Sequence, residues 1–123
     1  MSISANVPPI LIAGLGSVGL RHLRNLKLLG YKNIILYRTG KGTRCKEDLS
    51  NITLEYDLET ALSHYPRGVI ISNPTALHVP VAIAAARLGC HLLIEKPLSH
   101  NFSGLWRLKQ EAKKNRICIL IGF

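Results

Sequence analysis

No acidic residue occurs before Glu47. Residues 1–46 carry eight Lys or Arg, whereas residues 47–123 hold eight bases against seven acids, so almost the whole formal charge of +9 sits in the first third of the chain. Long apolar runs are lacking too: none approaches the ~18–20 residues that a membrane helix needs. The opening MSISANVPPILIAGLG has no Lys or Arg ahead of its apolar stretch and two prolines in front of it. That argues against a signal peptide and for a cytoplasmic protein. Cysteine is scarce. Cys45, Cys90 and Cys118 are odd in number and widely spaced, which fits reduced thiols better than disulfides or a metal site. The triplets at 51–53 and 101–103 match the glycosylation acceptor pattern, but without secretion both are chance matches. Repeats, low-complexity tracts and linkers are missing. So are helix-turn-helix, zinc and aromatic–basic motifs, which turns the basic excess away from nucleic acid and towards a small anionic ligand.

What is present is a pattern. With 123 residues, 47% of them hydrophobic and 19% charged, the chain reads as one globular domain with a real core. Short apolar runs at 8–14, 33–38, 52–56, 68–73, 91–95 and 116–123 read as six strands. They are continuous and not alternating, as in parallel sheets buried on both faces. Helical spacing fills the gaps: 17–30 with Val18, Leu23, Leu26 and Leu29, then 57–65 behind Asp57 as N-cap, 75–89 and 101–115. Trp106 falls beside Leu105 and Leu108 and is expected in the core. The alternation predicts an α/β fold, a doubly wound and mostly parallel six-stranded sheet in the order 3-2-1-4-5-6 with helices on both faces. The chain ends in or just after a strand, which reads as a domain boundary.

Between the first strand and the first helix stands GLGSVG: Gly14, Gly16, Ser17, Val18 and Gly19 in a G-x-G-x-x-G frame. In that place the motif predicts a dinucleotide site. Gly14 permits the tight turn, Gly16 lets a pyrophosphate approach the backbone, and Gly19 lets the helix pack closely. Free amides at the helix start would bind the pyrophosphate. An acid that would bond the adenosine ribose is expected about 20 residues further on. Here the second strand ends instead in Tyr37-Arg38-Thr39-Gly40, with Lys41 and Arg44 following. These bases suit a 2′-phosphate, so NADP is expected, with NAD the alternative. Arg21, Arg24, Lys27 and Lys32 read as ordinary exposed charges, and His22 and His64 as structural or solvated.

The fifth strand runs into Glu95-Lys96-Pro97, at the end of the sheet where ligands of such folds lie. With GLGSVG at 14–19, the stretch SNPTALHVPVAIAAARLGCHLLIEKPLS at 72–99 and GF at 122–123, the chain resembles the Gfo/Idh/MocA family (glucose–fructose oxidoreductase, inositol dehydrogenase, rhizopine catabolism). The resemblance covers essentially the whole chain, as that family's N-terminal Rossmann domain. It implies that Lys96 sits by the nicotinamide and the reacting hydroxyl, orients the substrate and helps move its proton. Glu95 would support it, and Pro97, often cis in the family, would fix the chain direction. Ser72, Asn73, Pro74 and Thr75 would lie against the cofactor, with His78 in the helix behind them, either packing there or touching ligand.

The resemblance also implies a second, substrate-binding domain that this chain lacks and through which a full-length protein would form a homo-oligomer. The expected function is the cofactor domain of an oxidoreductase acting on a sugar, polyol or sugar-nucleotide hydroxyl, inactive by itself. The alternative is a non-catalytic dinucleotide sensor or regulatory protein on the same fold. Neither a metal, nor nucleic acid, nor a membrane is expected as a partner.

Overall fold

The structure, a computed structural model, describes residues 7–38 and 48–122. In chain order they form β1 (Ile10–Ala13), α1 (Ser17–Leu28), β2 (Ile34–Tyr37), β3 (Thr53–Glu55), α2 (Leu58–Leu62), β4 (Gly68–Ile71), α3 (His78–Arg87, preceded by a 3-10 turn at Thr75–Leu77), β5 (His91–Ile94), α4 (Leu105–Lys114) and β6 (Ile119–Ile121). The six strands pair in the order β3-β2-β1-β4-β5-β6. Each of the five pairings is parallel. The expected topology is the observed one. Element ends match those that periodicity suggests or fall short of them by up to four residues. α4 starts latest, because Asn101 and Ser99 spend their side chains on backbone N–H groups of the preceding turn and Gly104 enters the helix at φ 80°.

Parallel pairing follows from strand chemistry. Leu11, Ile12 and Ala13 are fully buried, as are Ile35, Leu36, Val69, Ile71, Leu92 and Ile94 or nearly so. One face of the sheet packs Leu11, Ile35, Val69, Ile71, Leu92 and Ile94 against α2, α3 and α4 through Leu62, Val81, Ala82, Ala85, Ala86 and Leu108. The small alanines of α3 let that helix lie close to the strands. The other face packs Ile12, Ile34 and Leu36 against Leu23, Leu20 and Leu26 of α1.

Coverage of the two faces is unequal. α1 shields β1 and β2, but on its side Ile70 and Leu93 are half-buried and Leu120 is 60% exposed. Burial on both faces therefore holds for the centre of the sheet and fails for β5 and β6 among the described residues. Two smaller expectations also change. Leu29 is 71% exposed, since α1 ends one residue before it. Trp106 is 67% exposed; the inward stripe of α4 runs through buried Leu108 and half-buried Leu105 and Ala112, and Trp106 lies on the polar stripe with Lys109, whose ammonium sits 5.8 Å from the ring centroid.

The helices end alike but with different residues. After α1 and α3 the chain turns through Gly30 (φ 83°) and Gly89 (φ 78°), and after α2 and α4 through Tyr65 (φ 53°) and Arg116 (φ 55°). In each case the turning residue's N–H donates to a carbonyl three residues back. At the start of α2, Asp57 caps as expected: its carboxylate accepts from the Thr60 N–H and hydroxyl, each at 2.9 Å. Those two bonds, the backbone one first, hold the Asp57 carboxyl below its ordinary range.

Candidate functional site

Ala13, Ile71 and Ile94 stand side by side at the carboxyl ends of β1, β4 and β5. Each strand there releases a turn: Gly14–Gly19, Ser72–Thr75 and Glu95–Pro97. The turns border one open cleft of about 450 Å³. Val18, Ser72, Asn73, Pro74, Thr75, His78, Glu95 and Lys96 all line it. The topology has brought together three segments separated in sequence: Ser72 donates its hydroxyl to the carbonyls of Ala13 (3.2 Å) and Gly14 (3.1 Å), which lie 59 and 58 residues away.

The glycines do distinct work. Gly14 has φ +100°, and a Cβ there would stand 2.6 Å from the backbone nitrogen of Asn73. It is needed both for the turn and for the approach of the second loop. A Cβ on Gly19 would collide with the Gly14 carbonyl, so this glycine lets α1 close onto the turn. Gly16 is different: nothing lies within 4 Å of its would-be Cβ. Space there is open, beside the amides that begin α1, which have no partner within the helix. No acid stands in the first turn of α1 to oppose an anion. Asn73 adds a second sign of an absent partner, since its Oδ1 is buried without a hydrogen-bond donor. An open glycine cradle, free amides and an orphaned acceptor fit a dinucleotide with phosphates and hydroxyls.

Lys96 is exposed at the mouth of the cleft, and the Lys96–Pro97 bond is cis. Glu95 does not point its carboxylate freely at the cleft. It accepts from His22 Nε2 of α1 at 2.6 Å, and its oxygens pack against Gly122, whose added Cβ would lie 3.1 Å from Oε2. His78 is 2% exposed and packs. Its Nε2 is 2.7 Å from the Asn73 carbonyl and its Nδ1 3.1 Å from the Pro97 carbonyl. A neutral ring donates to one of these oxygens and an imidazolium to both.

Two residues given no part in the site from sequence, Arg21 as an ordinary exposed charge and His22 as structural or solvated, border it. His22 holds Glu95, and Arg21 lines the cleft. The signal was helical spacing: Arg21 lies four residues after Ser17 and His22 four after Val18, so both share faces with the glycine turn. His64 likewise has a partner, donating Nε2 to Glu55 at 2.6 Å. Arg38 is half-buried just past β2, its N–H donating to the Glu55 carbonyl at 3.1 Å. Glu55 thus reaches the end of β2 from the neighbouring strand, with its carboxylate engaged by His64. Lys41 and Arg44 lie outside the described residues. Among the described residues no group of three or more His, Cys, Asp or Glu could hold a metal, and no helix is long and apolar enough to cross a membrane. Cys90 is buried, which pushes its thiol up to about 11, while Cys118 is exposed; both are free.

Comparison with known proteins agrees with this fold. The model of the Gfo/Idh/MocA oxidoreductase family, described as the NAD-binding Rossmann fold, matches residues 9–123. Over 118 residues the chain is 30% identical to the myo-inositol 2-dehydrogenase of Thermotoga maritima, covering 91% of this chain and 35% of that protein. It is 26% identical over 117 residues to the 4-carboxy-2-hydroxymuconate-6-semialdehyde dehydrogenase of a Sphingobium species, covering 92% and 37%. Among solved structures, an oxidoreductase of Desulfitobacterium hafniense described as NADPH-dependent superposes with a TM-score of 0.79 at 25% identity, over 97% of this chain and 35% of that one. The chain therefore spans a little over a third of the length of these relatives. It belongs, through an NAD-binding Rossmann domain, to the Gfo/Idh/MocA oxidoreductase family.

Proposed function

We propose that the chain is the cofactor-binding part of an oxidoreductase that moves hydride between a nicotinamide dinucleotide, NADP in preference to NAD, and a hydroxyl or carbonyl carbon of a sugar, polyol or sugar nucleotide. The observation that carries this reading is the position of Lys96. It is exposed at the carboxyl end of β5, in the same cleft as the glycine turn. Bound nicotinamide supplies the hydride donor or acceptor. The residues of the chain do the rest. The amides at the start of α1 hold phosphate oxygens, with Gly16 leaving the room they need. In the oxidising direction the Lys96 side chain, as the neutral amine, accepts the hydroxyl proton as hydride leaves the carbon; in the reducing direction the ammonium donates to the carbonyl oxygen, stabilises the negative charge that develops there and gives up its proton.

The NADP preference rests on Arg38, Lys41 and Arg44 and on the lack of any acid before Glu47. A planar guanidinium matches a phosphate geometrically. A relative named for inositol, a polyol, supports the substrate class. The same reading has the substrate pocket and the homo-oligomer contact supplied by a further domain, and the protein working in the cytoplasm. The test is to assay the polypeptide at its natural length with NADP⁺ and NAD⁺ against myo-inositol, hexoses and sugar nucleotides. Turnover of at least one, faster with NADP⁺, is expected. Failure of the chain to bind either dinucleotide would overturn the proposal.

A further inference from the structure

Lys96 is bracketed by two histidines from different helices. On one side, His22 Nε2 of α1 meets the carboxylate of Glu95 at 2.6 Å. On the other, His78 of α3 sets Nδ1 3.1 Å from the carbonyl of Pro97 and Nε2 2.7 Å from that of Asn73. Glu95 is further held by its own N–H, which donates to the Ile71 carbonyl at 3.0 Å. Glu95 is thus tied to the body of the domain and Pro97 packs against the buried His78, while the lysine itself is exposed. From this juxtaposition we infer that His22 and His78 are positioning residues: they fix the Glu95–Pro97 turn and so set where the Lys96 ammonium stands in the cleft. The inference rests on the proposed role of Lys96.

The physical need is plain. Lysine carries a point charge on a flexible four-carbon stem. The stem cannot be immobilised by packing when it lies in an open cleft, so precision has to come from its main chain. A displacement of about 1 Å at a reacting group costs on the order of 100-fold in rate. A main chain pinned on both sides removes that freedom at its source. His22 does this through a side-chain contact, so Glu95 acts as an anchor for the turn. His78, almost fully buried, packs between the Glu95–Pro97 turn and the Ser72–Thr75 loop; the neutral ring donates to one of the two carbonyls, and the imidazolium, donating to both, joins the two walls of the cleft. His22 lies on the helix whose first amides face the phosphate site. The ring therefore links the phosphate end of the cleft to its reactive end.

Two measurements test this. The first needs no substrate: hydrogen exchange in the segment around residues 95–98 of this chain. His22→Ala should speed exchange there several-fold, while His22→Gln, which keeps a donor, should restore most of the protection. Unchanged exchange in His22→Ala would overturn the inference. The second is a mutant cycle on the natural-length enzyme with NADP⁺ and myo-inositol, or the sugar the substrate panel identifies. His22→Ala should lower kcat about tenfold, with the dissociation constant for NADPH changed less than about twofold. In a Lys96→Ala background the same change should cost less than about twofold, because residues acting through one group are not additive. An equal loss in both backgrounds would mean that His22 acts by general damage, and the inference would fail while the proposed function stood. Full activity of Lys96→Ala alone would remove Lys96 from the reaction and sink both. His78→Asn should follow His22→Ala in both tests; if it does not fold, the His22 variants decide alone.

Discussion

Gly14 and Asn73 lie so close that a Cβ on the glycine would stand 2.6 Å from the asparagine's backbone nitrogen and 2.7 Å from its Cα. The contact joins the two loops that open the cleft. It also sets Gly14, which the fold needs, apart from Gly16, which under the proposed function makes room for the ligand.

Gly14→Ala should therefore damage the domain itself. The left-handed backbone alone costs roughly 1–2 kcal/mol for a residue with a Cβ, and the collision adds to it. Gly16→Val should leave the fold intact, since the space there is open, yet weaken dinucleotide binding by more than about tenfold, equivalent to about 1.4 kcal/mol. Thermal melts and titration calorimetry on both variants check this. A stable Gly14→Ala, or a Gly16→Val with unchanged affinity, would contradict the assignment.

Lys96→Ala should act on chemistry and not on cofactor affinity. Loss of a charge-stabilising or proton-transferring group predicts a fall in kcat of about 10²-fold or more. The dissociation constant for NADPH should hardly move. Steady-state kinetics of the natural-length enzyme, paired with a binding titration, separates the two.

Cofactor choice should depend on salt. On the proposed reading, a charge-assisted contact from the Arg38 region to a 2′-phosphate would contribute about 1.5–3 kcal/mol, or roughly ten- to a hundredfold in affinity. Screening at high ionic strength should shrink that margin. Arg38→Asp should remove the contact, supply a ribose acceptor and reverse the preference. Dissociation constants for NADPH and NADH at two salt concentrations decide it; tighter NADH in the wild type would show that the bases are only a solvated loop.

Asp57 gives a pH-dependent contribution to stability. Its folded-state pKa lies below the ordinary carboxyl value because Thr60 donates to the charged form. Its stabilisation is therefore fully present above the unfolded value of about 3.9 and is lost as pH falls through the lower folded value. Asp57→Ala should melt below the wild type at neutral pH, and the gap should close in strong acid. A gap that persisted in acid would show that the carboxylate is not its source.

Much of this was legible from sequence for a definite reason. Runs such as 8–14 and 68–73 have one reading, and parallel strands joined by helices leave few topologies. The glycine turn and the Glu95-Lys96-Pro97 ending could be placed at one end of the sheet by that topology alone. What could not be read was pairing across long separations. Nothing near His22 announces that it meets Glu95, 73 residues away. Nor does any local pattern say that α1 alone covers its face of the described sheet, leaving Leu120 exposed. Trp106 was legible and misread: its neighbours Lys109, Gln110 and Lys113 at helical spacing mark the polar stripe. The bases at Lys41 and Arg44 lie outside the described residues.

The unlike helix ends leave the protein a reserve that is independent of its chemistry. Tyr65 and Arg116 hold left-handed backbone that Gly30 and Gly89 adopt without strain. Glycine at either position would relieve roughly 1–2 kcal/mol of steric strain and lose about 0.5–1 kcal/mol to chain entropy, for a net gain between about 0 and about 1.5 kcal/mol. Neither residue lines the cleft. An engineer needing tolerance for a damaging change among the loops around Lys96 could obtain it at these two distant turns.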